Sequence, residues 1–322
     1  MTSSPTSSVE EHALKKSPFE DQYEPIEKMR TIVVANFPAL GKLAAMRFIE
    51  WTQQNPNGVV SLPTGKTPEH FIRWVTHILQ NWENFEVKQE LEKWGIDLNH
   101  KPDMHSLQFV QIDEFYPIAP EQDNSFYSYV KRFYINGFGM NPETALLMNC
   151  REMGLPSHQN LNSLWPQGEV DLTLRYRAAT DEKELEQQQT IIGIDQWCHD
   201  YETRIRDLGG IGVFLGGIGP DGHIGFNVRG SDHHSTTRLT PVNYETQAAA
   251  AGDLGGIEIS RKRLVITIGL GTITFNREIC ALIIAAGEAK APIIANAIQS
   301  NKDVRFPATA LQKLNNARFY VT

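Results

Sequence analysis

The chain has 322 residues, 41% of them hydrophobic, enough for a sizeable core in one large domain or two small ones. A formal net charge of −8, with no long basic run, argues against a nucleic-acid partner. The longest apolar stretches, such as CALIIAAG at 280–287, are too short to span a membrane, and three cysteines without metal or redox spacing fit a reducing compartment.

Residues 1–28 are rich in Ser, Pro and charge and read as a flexible arm. They lack the apolar segment of a secretory signal, so a soluble, cytoplasmic protein is expected. From Met29 onward, apolar runs rich in β-branched residues alternate with helical patterns. TIVVA (31–35), GVVSLP (58–63), LQFVQID (107–113), ALLMN (145–149) and IGVFLGG (211–217) predict strands. So do RLVITIG (263–269), ICALIIAA (279–286) and ARFYVT (317–322). Between them, helices are predicted over 40–54, 67–79, 124–135, 195–208 and 289–299, with a short helix start at 272–278. This alternation predicts an α/β fold with a mostly parallel sheet flanked by helices on both faces. Residues 151–185 are polar and weakly periodic, and read as an insertion. The division expected is therefore an arm at 1–28 and one α/β domain at 29–322 carrying that insertion.

The stretch GGIGPDGHIGFN (216–227) contains G-x-G-x-x-G at Gly217, Gly219 and Gly222, directly after a predicted strand. A dinucleotide site would need a helix to open at the third glycine and hold the pyrophosphate. HIGFNVRGS follows instead, with no amphipathic pattern, and Asp221 puts a carboxylate where a pyrophosphate would approach. No nicotinamide or flavin cofactor is expected. The glycines suit a sharp turn that presents Asp221 and His223 two residues apart. That pair is either a proton-transfer unit or a capping Asp beside a surface His.

Two further loops bear on that choice. In SLPTGKTPEHF (61–71), a strand is followed by Thr64, Gly65, Lys66 and Thr67, with Thr67 expected to N-cap the next helix and Pro68 to open it. Free N–H groups there suit an anion, although the spacing is not that of a P-loop. In QIDEFYPI (111–118), Asp113 and Glu114 end a predicted strand and point opposite ways, so one can face a pocket while the other anchors the loop. SDHHS (231–235) reads as an exposed loop rather than a metal site, and Cys198, His199 and Asp200 splay around a predicted helix.

LPTGKTP, QIDEFYPI with NSFYSYV (124–130), GGIGPDGHIGFN and IGLGT (268–272) resemble, in that order, the motifs of the glucosamine-6-phosphate deaminases. That family shares its fold with the 6-phosphogluconolactonases. The similarity covers roughly residues 29–322 and implies a Rossmann-like three-layer sandwich. Phe115, IGFN and IGLGT point to the deaminase branch. The resemblance implies an amino-sugar-phosphate isomerase that needs no metal and no cofactor. It would turn glucosamine-6-phosphate or a close analogue into fructose-6-phosphate and ammonia, and it is compatible with a homo-oligomer. On this match, Asp113 is the C1/C2 proton carrier, His223 opens the sugar ring and Asp221 is its partner. Thr64, Gly65, Lys66, Thr67, Gly217 and Lys290 (in GEAKAPI) belong to substrate and phosphate binding.

Four departures stand out. Val228 occupies the place of a family glutamate that completes the ring-opening group. A family phosphate arginine falls near Gly252. Lys66 replaces a family glycine and, with Arg229, is a candidate for the missing cation. Thr240 and Pro241 stand where allosteric members carry Lys-Thr. A catalytically weak sugar-phosphate-binding or regulatory protein is therefore one alternative, and a lactone hydrolase another.

Overall fold

The computed structural model describes residues 7–17, 26–155 and 159–322. In chain order the elements are α1 (Ser8–Lys16), β1 (Arg30–Val33), α2 (Phe37–Gln54), β2 (Val59–Ser61), α3 (Glu69–Gln80) and α4 (Phe85–Lys93). Then come β3 (Gln108–Phe109), β4 (Asp113–Tyr116), α5 (Phe126–Val130), which runs into a π-helical turn at Lys131–Asn136, α6 (Leu161–Leu164) and α7 (Glu182–Asp207). The rest is β5 (Val213–Gly217), β6 (Arg238–Thr240), α8 (Tyr244–Leu254), α9 (Ile257–Ser260), β7 (Leu264–Thr267), α10 (Leu270–Ile273), β8 (Cys280–Ala285), α11 (Ala291–Gln299) and β9 (Ala317–Val321).

Six strands form one sheet in the order β1-β9-β8-β5-β2-β3, and every pairing in it is parallel. Because successive side chains on a strand point to opposite faces, β5 and β8 feed two cores. Val213, Leu215, Leu282 and Ile284 pack with α1–α4 on one face, while Phe214, Ala281 and Ile283 pack with α7 and α11 on the other. This is the α/β architecture with a mostly parallel, helix-flanked sheet that the alternation predicts.

The run 107–113 is not one strand. β3 ends at Phe109, Val110 makes an isolated bridge to Leu146, and Asp113 opens β4 in a second sheet. That sheet is antiparallel, in the order β4-β7-β6. Gln111 closes the gap between the two sheets: its amide donates to the Asp113 carbonyl at 2.9 Å and accepts from the Met148 N–H at 2.8 Å. An apolar run carries no mark of a change of sheet, so the sequence reading carried one strand through to Asp113 and missed β4, which starts there. ALLMN likewise contributes a bridge and not a strand.

The expected flexible arm is corrected for part of its length. Ser8–Lys16 is a docked helix, capped by the Ser7 hydroxyl, with Val9 and Ala13 buried in the core. Glu10 accepts from Tyr320 Oη at 2.7 Å and Arg318 Nε at 3.2 Å, and Glu50 accepts from Ser7 Oγ at 2.5 Å. The rest of the predicted arm lies partly outside the described residues.

Candidate active site

The loops that leave β2 and β5, together with the first residue of β4, meet at one end of the parallel sheet. They enclose a cavity of about 340 Å³ lined by Thr64, Gly65, Lys66, Thr67, Asp113, Gly217 and His223. This is the place where open α/β sheets bind ligands, outside the carboxyl ends of their strands. Asp221 and Lys290 stand behind the lining.

The G-x-G-x-x-G stretch opens no helix; the chain continues as loop through Thr237. Its glycines have a different use. A Cβ on Gly219 would fall 2.0 Å from the His223 ring, so only glycine lets the imidazole lie across that backbone. Gly222 turns at a φ of +85°, a conformation glycine adopts without strain. His223 is thereby folded back so that its Nδ1 sits 2.6 Å from Asp221 Oδ1.

Asp221 is buried and fully engaged. Its other oxygen accepts from the Arg229 N–H at 2.9 Å and from Asn243 Nδ2 at 2.6 Å. Burial opposes its charge, but His223 and these two donors outweigh burial and hold its carboxyl far below the usual range. An ionised Asp221 fixes the imidazole so that Nδ1 faces the carboxylate and the other ring nitrogen is left for chemistry.

Asp113 has the opposite environment. It is buried to 8% exposure at the cavity wall, and no hydrogen-bond donor to its carboxylate is found among the described residues. Burial, reinforced by the charge of Glu114, raises its pKa well above the ordinary carboxylate value. Glu114 points away from the cavity, as the strand geometry predicts. It accepts four bonds, from the N–H groups of Phe115, Phe126 and Tyr127 and from Ser125 Oγ, and so ties β4 to the start of α5. Burial nonetheless pushes Glu114 up to about 7.

The 63–67 loop is pinned from below: Tyr129 Oη donates to the Gly65 carbonyl at 2.9 Å and Tyr134 Oη donates to the Pro63 carbonyl. The N–H groups of Gly65, Lys66 and Thr67 donate to no group among the described residues. They lie just ahead of α3, where a helix dipole favours an anion. One detail differs from expectation. The helix begins at Glu69 with Pro68 at the cap and no side-chain cap bond, so Thr67 does not cap it; its side chain faces Gly217 instead. Lys66 is largely exposed at the rim, 3.6 Å from Asp253. Lys290 donates to the Ile218 carbonyl at 2.6 Å, beneath the 217–223 loop. Arg229 is exposed and does not line the cavity, and Val228 packs against the core.

Sequence reading missed α8. Asn243 caps it, accepting from the Thr246 N–H at 3.1 Å, while its amide holds Asp221. Thr246, 3.3 Å from His223 Nδ1, lines the cavity with Ala249, Ala250 and Asp253. An Asn followed three residues later by Thr, then four alanines, is a helix-start signal that was legible. Phe115, Phe126 and Phe226 make an apolar wall, with ring centroids 5.0–6.1 Å apart.

No protein-family model matches the chain. Curated relatives do match, over most of their own length. A glucosamine-6-phosphate deaminase of Clostridium perfringens is 26% identical over 288 residues, covering 88% of this chain and 93% of that protein. One from Hahella chejuensis is 27% identical over 284 residues, covering 88% and 85%. Glucosamine-6-phosphate deaminase 2 of Bacillus subtilis is 26% identical over 289 residues, covering 89% and 92%. Among solved structures, a monomeric glucosamine-6-phosphate deaminase superposes with a TM-score of 0.66 at 22% identity, covering 91% of this chain and 97% of that one. The 6-phosphogluconolactonase of Thermotoga maritima superposes with a TM-score of 0.55 at 12% identity, covering 91% and 98%. These two superpositions show the shared fold. The chain is a divergent relative of the glucosamine-6-phosphate deaminases and, at that level, a deaminase-like enzyme.

Proposed function

We propose that the cavity binds glucosamine-6-phosphate or a close analogue and converts it to fructose-6-phosphate and ammonia. One observation carries the reading: Asp113 and the Asp221-held His223 open into the same cavity as the unpaired N–H groups of the 65–67 loop. The loop N–H groups and Lys66 receive the phosphate. His223 delivers a proton to the ring oxygen as the C1–O5 bond breaks and the C1 hydroxyl proton leaves, giving the open-chain aldehyde. Asp113 takes the proton from C2 and returns it to C1, so the C2 amine becomes an imine. Water adds to C2, ammonia leaves, and the ketose phosphate remains. A carboxyl whose pKa burial raises above the ordinary carboxylate value suits a group that must both take and return a proton. The phenylalanine wall keeps that step dry.

A second reading, a binding or regulatory protein, is favoured by Val228, a hydrocarbon where the family carries a carboxylate. Here Asp221 is supported by the Asn243 amide and the Arg229 N–H, which keeps its carboxylate ionised without a second acid. Placement in the cytoplasm is part of the proposal; Cys150, Cys198 and Cys280 are buried and unpaired, and among the described residues no helix is long and apolar enough to cross a membrane. The test is ammonia release from glucosamine-6-phosphate by wild type, His223→Gln and Thr67→Val. Turnover is expected in wild type, loss of kcat in His223→Gln and a raised KM in Thr67→Val. Sugar-phosphate binding without turnover in wild type would instead support the second reading.

A further inference from the structure

A second cavity, of about 380 Å³, opens at the other end of the β4–β7 ladder from Asp113. Pro117 follows β4 there, Arg263 precedes β7, and the 161–168 stretch with Trp165 and Gly168 forms the facing wall. Arg263 is the unusual member. Its Nη1 donates to the Pro117 carbonyl, but its Nε is buried without a hydrogen-bond partner, and among the described residues no carboxylate pairs with it. Gly168, at a φ of +66°, lets the guanidinium lie against the Trp165–Gly168 turn; a Cβ there would stand 3.0 Å from Nη1.

A second cation shares the wall. Lys262 lines the cavity, and the carboxylate it meets, Glu169, is 3.8 Å away, a loose pair. Glu258 also lines the cavity but is 3.2 Å from Arg261. Nε is too deeply buried for a ligand to reach, but Nη2 makes no hydrogen bond among the described residues, and a half-buried guanidinium without a carboxylate partner favours an anion beside it. Nη2 can donate to one oxygen of an oxyanion, and the neighbouring ammonium suits a dianion.

We propose that this cavity is a second ligand site, for a small phosphate-bearing anion held by Arg263 and Lys262. It is separate from the sugar-phosphate cavity and does not depend on the reading of that cavity. The test is titration calorimetry with inorganic phosphate on the full chain, comparing wild type, Arg263→Gln, Lys262→Gln and Thr67→Val. The first two substitutions are expected to weaken one phosphate site about tenfold or more, in line with loss of a charged hydrogen bond. The site sensitive to Thr67→Val should be unaffected by them. Lys262→Gln keeps the test decisive if Arg263→Gln disturbs the Pro117 contact. Phosphate binding that neither Arg263→Gln nor Lys262→Gln alters, or no phosphate binding beyond the Thr67-sensitive site, would overturn the proposal. Because Thr67→Val reports on the first cavity alone, failure of the deaminase reading would show there and not here.

Discussion

Asp113 and Asp221 are both buried carboxyls, yet their surroundings push them in opposite directions. Asp221 has a partner on each oxygen; Asp113 has a cavity and the charge of Glu114. Divergent environments of this kind assign roles. As the base, Asp113 must be ionised, so the rising limb of kcat/KM is expected well above the ordinary carboxylate range near pH 4. Asp113→Asn should lower kcat by about 10²–10⁴-fold, the usual contribution of general acid–base catalysis. A pH–rate profile of wild type beside that variant checks both. Asn243 is a positioning residue, acting through Asp221. Asn243→Ala strips Asp221 Oδ2 of a donor and α8 of its cap, and should cost about 1–3 kcal/mol in stability. It should also lower kcat while leaving KM within a few-fold, a split that a purely structural cap would not produce; denaturation and steady-state kinetics read the two effects.

Among the helices the sequence reading did not name, α8 and α1 escaped it for different reasons. α8 is an alanine-rich helix whose small side chains give little amphipathic contrast, so its cap was the only clear signal. α1 sits in a stretch whose Ser, Pro and charge content reads as disorder. What docks it is non-local: Tyr320 and Arg318 from the last strand, and Glu50 from α2. No local pattern can announce partners about 300 residues away. Val9 is fully buried in that contact. Val9→Ala should therefore lower stability by about 2 kcal/mol, the loss expected for two buried methyl groups. An unchanged denaturation midpoint in that variant would mean that α1 contributes nothing to the fold. By contrast, the loop after β2 and the PDGH turn were legible, because their glycines carry local geometry, although the expected Thr67 cap does not form. Which residue lined the cavity was less so. Lys290 matched a motif, yet its ammonium is turned to a backbone carbonyl beneath the loop.

At the scale of the molecule, the parallel sheet followed from alternating apolar runs, whereas the antiparallel β4-β7-β6 sheet did not. β6 has three residues and β4 has four, starting where the predicted strand ended, so neither had a period of its own. The same architecture sets the pH dependence of stability. Asp221, depressed in the fold, contributes stability above its unfolded pKa that is lost as pH falls below about 4. Asp113 and Glu114, raised in the fold, favour the folded state on the acid side. Their contribution is lost as pH rises from about 4 toward 7. The thermal midpoint should thus be higher at pH 5 than at pH 8, and the gap should shrink in Asp113→Asn. Calorimetry at both pH values checks it; a midpoint that rises from pH 5 to pH 8 would contradict the charge assignments.

The most direct test of the central claim is proton NMR of glucosamine-6-phosphate mixed with the protein in deuterated water. Fructose-6-phosphate and ammonium are expected in equal amounts, with deuterium entering at C1 through exchange on Asp113, and with Asp113→Asn both should form about 10²–10⁴-fold more slowly. Intact substrate with sugar-phosphate binding still measurable would contradict it, and would leave the chain as a binding protein built on a deaminase fold.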